Sequence, residues 1–201
     1  FERLQLALGD NQVAWHYQEK NNTLDFSDGQ IFFNNLQQPS QLQIYSSAIN
    51  IAVNDVRWQP LDFELRRNGQ DLSAYVSAID IAGSAELLPL LVKDENTREL
   101  IAQLAPIGTI EPLFIEQNDD VNSVVAKVAG FTSQYAQGIP GLEHLSGELV
   151  YQPGKAHFSF QATNGALDFA QHFAKPIPYQ SINSSVELVF SDNAWQLNAP
   201  D

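Results

Sequence analysis

The chain has 201 residues and a formal net charge of −14 at pH 7, with 44% hydrophobic and 17% charged residues. This composition can supply a hydrophobic core, so it excludes an intrinsically disordered chain. The acidic surplus argues against nucleic acid and against an anionic lipid surface bound through a basic patch, because both need Lys and Arg. The absence of cysteine excludes disulfides, thiolate metal sites and a cysteine nucleophile.

From the N-terminus, one unit recurs five times: an apolar strand, a polar turn and a strand that carries aromatic residues. Each turn contains residues that tolerate positive φ or favour a tight turn, as β-hairpins require. The five repeats predict an antiparallel sheet. The predicted turns are Gly9-Asp10-Asn11, Ser27-Asp28-Gly29, Asn68-Gly69, Pro153-Gly154 and Ser191-Asp192-Asn193.

Between the second and third predicted hairpins, residues 41–55 read as one long strand whose alternation changes phase. The apolar positions run from Leu42 and Ile44 to Ile49, Ile51 and Val53. A change of one residue indicates a bulge or bend, since the side-chain period of a strand is two. At ~3.3 Å per residue such a strand would span roughly 45 Å. Long, bent strands of this kind favour an extended, curved sheet.

Residues 84–108 form the one convincing helical segment, which we interpret as a pair of short helices inserted at about 85–105. Asn96 followed by Glu99 predicts the N-cap of the second helix. Pro89 suits the first turn of the first helix, and Pro106 ends the second. The apolar residues expected to pack the helix pair onto the sheet are Leu88, Leu91, Leu100, Ile101 and Leu104.

After the helices, hairpins are predicted to resume over residues 109–201, with a turn at Asn118-Asp119-Asp120. Residues 164–183 contain two prolines and are predicted to be a loop with one short strand near 166–169. No linker divides the hairpins of 1–83, the helix pair of 84–108 and the hairpins of 109–201, so we expect a single β-rich domain. No apolar run is long enough for a transmembrane helix. Because the chain begins at Phe1 and lacks methionine, we expect it to be a piece of a longer polypeptide.

No catalytic pattern is present in the sequence. His16, His144, His157 and His172 lack the spacing of a zinc site, and the P-loop, GxSxG and GxGxxG motifs are absent. Asp119-Asp120 falls in a predicted turn, where solvent would keep both carboxylates ionised rather than raise one pKa for catalysis. We therefore expect neither an enzyme nor a bound cofactor or metal.

Apolar side chains recur on one face of several predicted strands, and two interpretations of this pattern stay open. The faces could pack together or against the helices as an ordinary core. Alternatively, part of a curved sheet could stay uncovered as a groove for acyl chains, since large exposed apolar patches mark interaction surfaces. The candidate lining residues are Tyr75, Ile79, Ile81, Val124, Val128, Phe158 and Phe160.

The stretch LLPLLVKDENTRELIAQLAPIGTIEPLFIE and the later GFTSQYAQGIPGLEHLSGELVY carry a family resemblance. From Leu87 to Phe190 the sequence resembles the YhdP-type, AsmA-like proteins of Gram-negative bacteria. One departure is Ile107, where the family often has a basic residue. The positions that match the family pattern are Gly130, Phe131, Pro140, Gly141, Leu145, Ser146 and Gly147.

The resemblance implies the periplasmic portion of a large envelope protein anchored in the inner membrane. It further implies a β-groove that conducts phospholipid toward the outer membrane, so a phospholipid or another acyl-chain lipid is the expected partner. The alternative is a non-enzymatic scaffold or binding module whose sheet edge pairs with an envelope protein. An enzyme with an unrecognised site is the third possibility; a pocket holding a carboxylate with a strongly shifted pKa would indicate it.

Overall fold

The computed structural model describes residues 2–17, 19–118, 122–191 and 194–199. Over these ranges the chain is mainly antiparallel β-structure, with strands in two sheets and three short α-helices. The predicted mainly-β antiparallel fold with inserted helices is thereby confirmed.

The first eight strands are β1 (Arg3–Ala7), β2 (Asn11–Tyr17), β3 (Lys20–Ser27), β4 (Gln30–Asn34), β5 (Gln43–Ser47), β6 (Asn50–Val53), β7 (Val56–Arg57) and β8 (Phe63–Asn68). The others are β9 (Asp71–Val76), β10 (Ile79–Asp80), β11 (Ile107–Gln117), β12 (Asn122–Ser133), β13 (Gly141–Gln152), β14 (Lys155–Asp168), β15 (Ile177–Ser191) and β16 (Ala194–Asn198). The helices are α1 (Ile81–Ala85), α2 (Leu88–Leu91) and α3 (Glu95–Leu104), with short 3-10 helices at Pro39–Gln41 and Ala170–His172.

The larger sheet has the order β1-β4-β5-β8-β9-β11-β12-β13-β14-β15-β16, with β10 paired to β11; the smaller has the order β2-β3-β6-β7. Residue contacts group the chain into two compact units. The first contains Phe1–Ile79 and Glu111–Val125, and the second contains Asp80–Ile110 and Ala126–Asp201. The single domain stays a prediction, because this grouping does not test whether each unit folds alone.

Within the first unit, the chain passes between the two sheets at corners rather than through hairpins. The predicted hairpins at residues 9–11 and 27–29 are wrong, because β1 pairs with β4 and β2 with β3. Residues that tolerate positive φ serve a corner as well as a hairpin, and Asp28 and Gly29 have φ of 54° and 74°. Two neighbouring corners are joined by a hydrogen bond of 3.2 Å from the Leu8 amide to the Gly29 carbonyl.

The predicted long strand over residues 41–55 is also broken by a corner. Its two parts are β5 in the larger sheet and β6 in the smaller, and Ala48 between them has a φ of 48°. Ile49 bridges Leu61 on the neighbouring pass with hydrogen bonds of 3.0 and 2.8 Å. The change of phase therefore marks a real bend, but the single span of roughly 45 Å does not form.

The later hairpins agree better with the sequence. The Asn68-Gly69 hairpin joins β8 to β9, and the Pro153-Gly154 hairpin joins β13 to β14. The predicted β15–β16 pair forms, although the turn residues Asp192 and Asn193 lie outside the described residues. Of the turn predicted at residues 118–120, residues 119 and 120 also lie outside them.

The loop predicted over residues 164–183 is wrong. β14 continues to Asp168 and β15 begins at Ile177, so most of this segment is paired strand. Pro178 lies within β15 opposite Ala166. The two prolines led us to expect a break in the strand. Pro178 lies near the start of β15, however, and β16 pairs with β15 over Glu187–Ser191, so over the described residues Pro178 lies where β15 is an edge of the sheet and a missing amide is tolerated.

The predicted helix pair corresponds to α2 and α3, and α1 directly precedes them, but the predicted N-cap is wrong. α3 begins at Glu95, so Asn96 is already inside its first turn. The cap is Asp94, whose carboxylate accepts from the Thr97 amide at 2.7 Å and the Thr97 hydroxyl at 2.5 Å. These two bonds, the hydroxyl first, hold the pKa of Asp94 below its usual value. α3 ends at Leu104, ahead of Pro106 as predicted, and Pro89 lies in the first turn of α2.

Gly147 on β13 lies directly opposite Phe160 on β14. A Cβ atom at Gly147 would lie 2.8 Å from the Phe160 Cα, 3.0 Å from the Phe160 Cβ and against the Ser159 carbonyl. Only glycine fits this close approach of two strands without displacing the backbone.

We expect Gly147→Ala to lower the free energy of unfolding by about 1–3 kcal/mol, as overpacking does. Chemical denaturation followed by circular dichroism measures the loss. Gly9→Ala is the matched control, because no atom lies within 4 Å of a Cβ there. Equal stability of the two variants would contradict the assigned register.

Candidate functional site: the apolar sheet faces

The register of the larger sheet gives the first unit one strongly apolar face. A row of directly opposed residues crosses six strands, from β1 through β4, β5, β8 and β9 to β11. A second row, displaced by two residues along each strand, points to the same side of the sheet, because the side-chain period of a strand is two. The first row is Leu4, Phe33, Ile44, Leu65, Ala74 and Ile115, and the second is Leu6, Ile31, Ser46, Phe63, Val76 and Leu113.

None of the eleven apolar side chains in these rows is buried. Leu4 is 43% exposed, Leu6 44% and Ile115 38%, and the other eight are half-buried. Ser46 is buried, and its hydroxyl accepts a hydrogen bond of 2.9 Å from the Phe63 amide. A sheet face with so many aliphatic and aromatic residues normally packs to near-complete burial, so this face is a candidate interaction surface.

The smaller sheet of the same unit shows what a covered position looks like in this chain. Val53 on β6 lies between Leu24 and Val56 and is 1% exposed. Its burial matches that of an ordinary core valine. Within the first unit, the smaller sheet therefore contains a buried apolar side chain, which the two apolar rows lack.

The opposite face of the first unit's larger sheet is polar. Asn34 donates to Gln43 at 2.9 Å, and both Gln43 and the Arg66 guanidinium donate to the Glu64 carboxylate. The bond from Arg66 is the largest cause of the lowered pKa of Glu64, and desolvation opposes it. This chain of side chains crosses β4, β5 and β8, so a polar network lies on the side of the sheet opposite the apolar rows.

In the second unit, β13, β14 and β15 form another amphipathic surface. Phe158 lies between Leu149 and Val186, and its ring stacks 5.3 Å from that of Phe160. Both rings are half-buried, whereas His157 and Ser159 on the other face are exposed. The alternation read from the sequence is therefore present, with the small residues Ala156 and Ala162 buried at either end.

The other predicted lining residues are distributed differently. Tyr75 lies on the polar face of the first unit's sheet, opposite Glu64 and Phe114. Ile79 is in β10 and Ile81 is the first residue of α1, so the expected shared strand face of these three residues does not form. Val124 and Val128 are half-buried on β12, on either side of the buried Ala126.

The apolar rows of the first unit were missed because the aromatic ring of Tyr75 was given more weight than the alternation around it. Leu72, Ala74 and Val76 mark the apolar phase of β9, and Ser73 and Tyr75 mark the polar phase. A residue-by-residue count of that alternation predicts the correct face.

The predicted packing residues of the helices are not deeply buried. Leu88, Leu100, Ile101 and Leu104 are half-buried, the Leu91 side chain lies outside the described residues, and Leu90 is 56% exposed. The end of α3 is anchored by a 2.7 Å hydrogen bond from the Gln134 amide to the Leu104 carbonyl. Whether the helices cover a groove stays a prediction.

The segment of β13 that contributes to the family resemblance contains a bulge that is held by a side chain of β15. A bulge interrupts β13 between Leu142 and Leu145, and the Tyr179 hydroxyl donates to the Glu143 carbonyl within it. The ring reaches that carbonyl across Gly165 of β14. Burial and the nearby Glu143 charge raise the pKa of Tyr179, so the hydroxyl keeps its proton as the donor.

The described residues contain no group of three His, Asp or Glu side chains able to hold a metal ion. Within the same ranges, no helix is both long enough and apolar enough to cross a membrane. Over the described residues, the geometry offers amphipathic sheet surface.

Fold and site together define an antiparallel β-protein whose apolar sheet faces are only partly buried. The profile of the YhdP protein family matches residues 1–201, so the chain belongs to the YhdP family, a family of cell-envelope proteins. The match extends beyond the resemblance noted over Leu87–Phe190 to the whole chain. No curated protein and no solved structure matches the chain.

We expect Leu65→Asp to leave the protein folded, because the half-buried side chain allows a carboxylate to reach water. Val53→Asp is the matched control, since it places a charge where the side chain is 1% exposed. The control should lose more than about 4 kcal/mol of unfolding free energy, and Leu65→Asp less than half of that. Denaturant titration of both variants makes the comparison, and similar losses would show that the apolar rows form an ordinary core.

Proposed function

We propose that this chain binds the acyl chains of phospholipid along the apolar rows of its first unit, as a non-enzymatic segment of a lipid-conducting β-groove. The observation that carries the proposal is that none of the eleven apolar side chains in the two rows is buried. An acyl chain seated on them would gain about 0.8 kcal/mol for each CH₂ removed from water.

The chemistry of the face suits a lipid tail. The rows contain no charged residue, and the acidic groups that give the chain its charge of −14 lie elsewhere. Leu, Ile and Phe side chains in parallel rows provide a surface without directional hydrogen-bond demands, so chains of different length and unsaturation would bind alike.

Membership of the YhdP family supports the cellular setting of the proposal. We place the chain in the periplasmic portion of an inner-membrane-anchored envelope protein, where lipid moves toward the outer membrane. The apolar surface of β13–β15 in the second unit, centred on Phe158 and Phe160, would bind acyl chains in the same way.

In cells that express the protein, a photo-crosslinking amino acid at position 33 should capture phospholipid. Phe33 is on the apolar face, and Asn34, its neighbour on the polar face, is equally half-buried and is the matched control. Phe158 and Ser159 give a second pair in the other unit. Mass spectrometry of the adducts should find lipid at positions 33 and 158, and lipid captured equally at 34 and 159 would contradict the proposal.

The alternative function is a protein-binding module, and one observation favours it. All five residues of β1 are exposed at an edge of the larger sheet, including Leu4 and Leu6. An edge strand with free backbone groups can be extended by a strand from a partner. Protein adducts concentrated at β1, with loss of capture in Gln5→Pro, would favour this function over lipid binding.

A further inference from the structure

Aromatic side chains occur on the polar face of the first unit's sheet, where acyl-chain binding gives them no role. Phe32 and Tyr45 stack at 4.8 Å with an interplanar angle of 13°, and Tyr75 and Phe114 lie 5.0 Å apart at 42°. Register places all four in one row that crosses β4, β5, β8, β9 and β11, with Glu64 between the two pairs. Phe114 is 44% exposed.

A cavity of about 260 Å³ lies at the β8–β9 hairpin end of the sheet, and its lining includes Arg66, Ser73 and Glu116 of the same face. Arg66, Ser73 and Glu116 form the adjacent row, two residues along each strand from Glu64, Tyr75 and Phe114. The cavity is lined by Arg66, Asn68, Asp71, Leu72, Ser73, Glu116, Gln117 and Asn118.

The Glu64 carboxylate fixes the guanidinium that reaches this cavity. Arg66 donates through Nε to Glu64 Oε1 at 2.5 Å, and Gln43 donates to the same oxygen. The Arg66 side chain is 61% exposed, so its terminal nitrogens stay accessible to solvent and to a ligand. A positioned guanidinium presents a planar fork of donors.

The chemistry of this surface matches a sugar ring. One face of a pyranose carries C–H groups that pack on aromatic rings, and its rim carries hydroxyls that both donate and accept. Planar amides, carboxylates and a guanidinium satisfy adjacent hydroxyls in pairs. The cavity lies below the range of about 300–1,000 Å³ for drug-sized ligands, so it suits one small ring.

The local charge selects among polar ligands. Asp71 and Glu116 both line the cavity, and the one arginine there is paired with Glu64. Two carboxylates repel phosphate and other anions at short range. The surface therefore favours an uncharged ring over a phosphorylated or acidic one.

We propose that this face of the first unit binds a neutral sugar ring of a glycan, with Tyr75 and Phe114 as the stacking platform and the cavity around Arg66 and Glu116 as the hydroxyl-binding site. The four residues named here lie on the opposite side of the sheet from the apolar rows, so sugar binding by them is independent of acyl-chain binding.

NMR titration of the isotope-labelled chain with cellobiose and with N,N′-diacetylchitobiose tests the proposal. Resonances of Tyr75, Phe114 and Arg66 should shift with at least one of the disaccharides. Phe114→Ala and the near-isosteric Glu116→Gln should each weaken binding at least about tenfold, or 1.4 kcal/mol. Glu187→Gln is the matched control for Glu116→Gln, because Glu187 lies on β15 in the second unit, opposite His157 and outside both proposed binding surfaces.

Octyl β-glucoside below its micelle concentration distinguishes the two sources of such a ring. Affinity equal to that of cellobiose indicates a free glycan, and tighter binding that depends on Phe114 indicates a glycolipid headgroup. The proposal is overturned if neither disaccharide shifts these resonances, if Phe114→Ala binds as tightly as the parent, or if inorganic phosphate binds in preference to the sugars. None of these results bears on lipid capture at position 33.

Discussion

The structure of the first unit depends on one constraint: a β-strand alternates its side chains between two faces, and here one of those faces is apolar across six strands. Complete burial of a Leu, Ile or Phe side chain contributes about 1.5–3 kcal/mol. Because the side chains of both apolar rows stay partly exposed, the sheet forgoes part of that contribution. A nonpolar ligand on the face would recover it, which connects the packing of the unit to the proposed function.

The corners of the first unit preserve this amphipathic character from one sheet to the next. Each corner shifts the apolar positions by one residue, and left-handed residues such as Asp28 and Ala48 provide the change of direction. Hydrogen bonds join the corners in pairs, Leu8 to Gly29 and Ile49 to Leu61, so the four chain passes turn together. Across three of the corners the apolar residues change from even-numbered to odd-numbered positions. They are Leu4 and Leu6 before and Val13 and Trp15 after the first corner, Leu24 and Phe26 before and Ile31 and Phe33 after the second, and Ile44 before and Ile51 and Val53 after the third.

Turn residues in the sequence correctly predicted hairpins whose two strands are neighbours in the chain. Asn68-Gly69 and Pro153-Gly154 form hairpins, because in each case the two flanking strands pair with each other directly from the turn. Ser27-Asp28-Gly29 has equally good turn residues, yet it forms a corner, because pairing with β5 and β6 determines the path of the chain there. The N-cap of α3 is Asp94 rather than Asn96, because Asp94 lies two residues earlier and its side-chain oxygen can also accept a bond from a helix amide.

The candidate sites were harder to predict for the same reason. Alternation identified the apolar surface around Phe158 and Phe160, since a single strand carries the whole signal. Each apolar row of the first unit contains one residue from each of six strands. The row that contains Tyr75 and Phe114 likewise takes one residue from each strand that it crosses. Such rows can be identified only once the strand register is known, because a shift of one residue in any strand would move its side chains to the opposite face of the sheet.

Intermolecular nuclear Overhauser effects between a bound phospholipid and methyl-labelled protein test the central claim most directly. We expect cross-peaks from acyl methylene protons to the methyl groups of Ile44, Leu65 and Val76 on the apolar rows. No cross-peak is expected to the methyl groups of Val53, which the protein itself covers. Acyl cross-peaks absent from the apolar rows, while the lipid contacts other parts of the chain, would contradict acyl-chain binding on these rows.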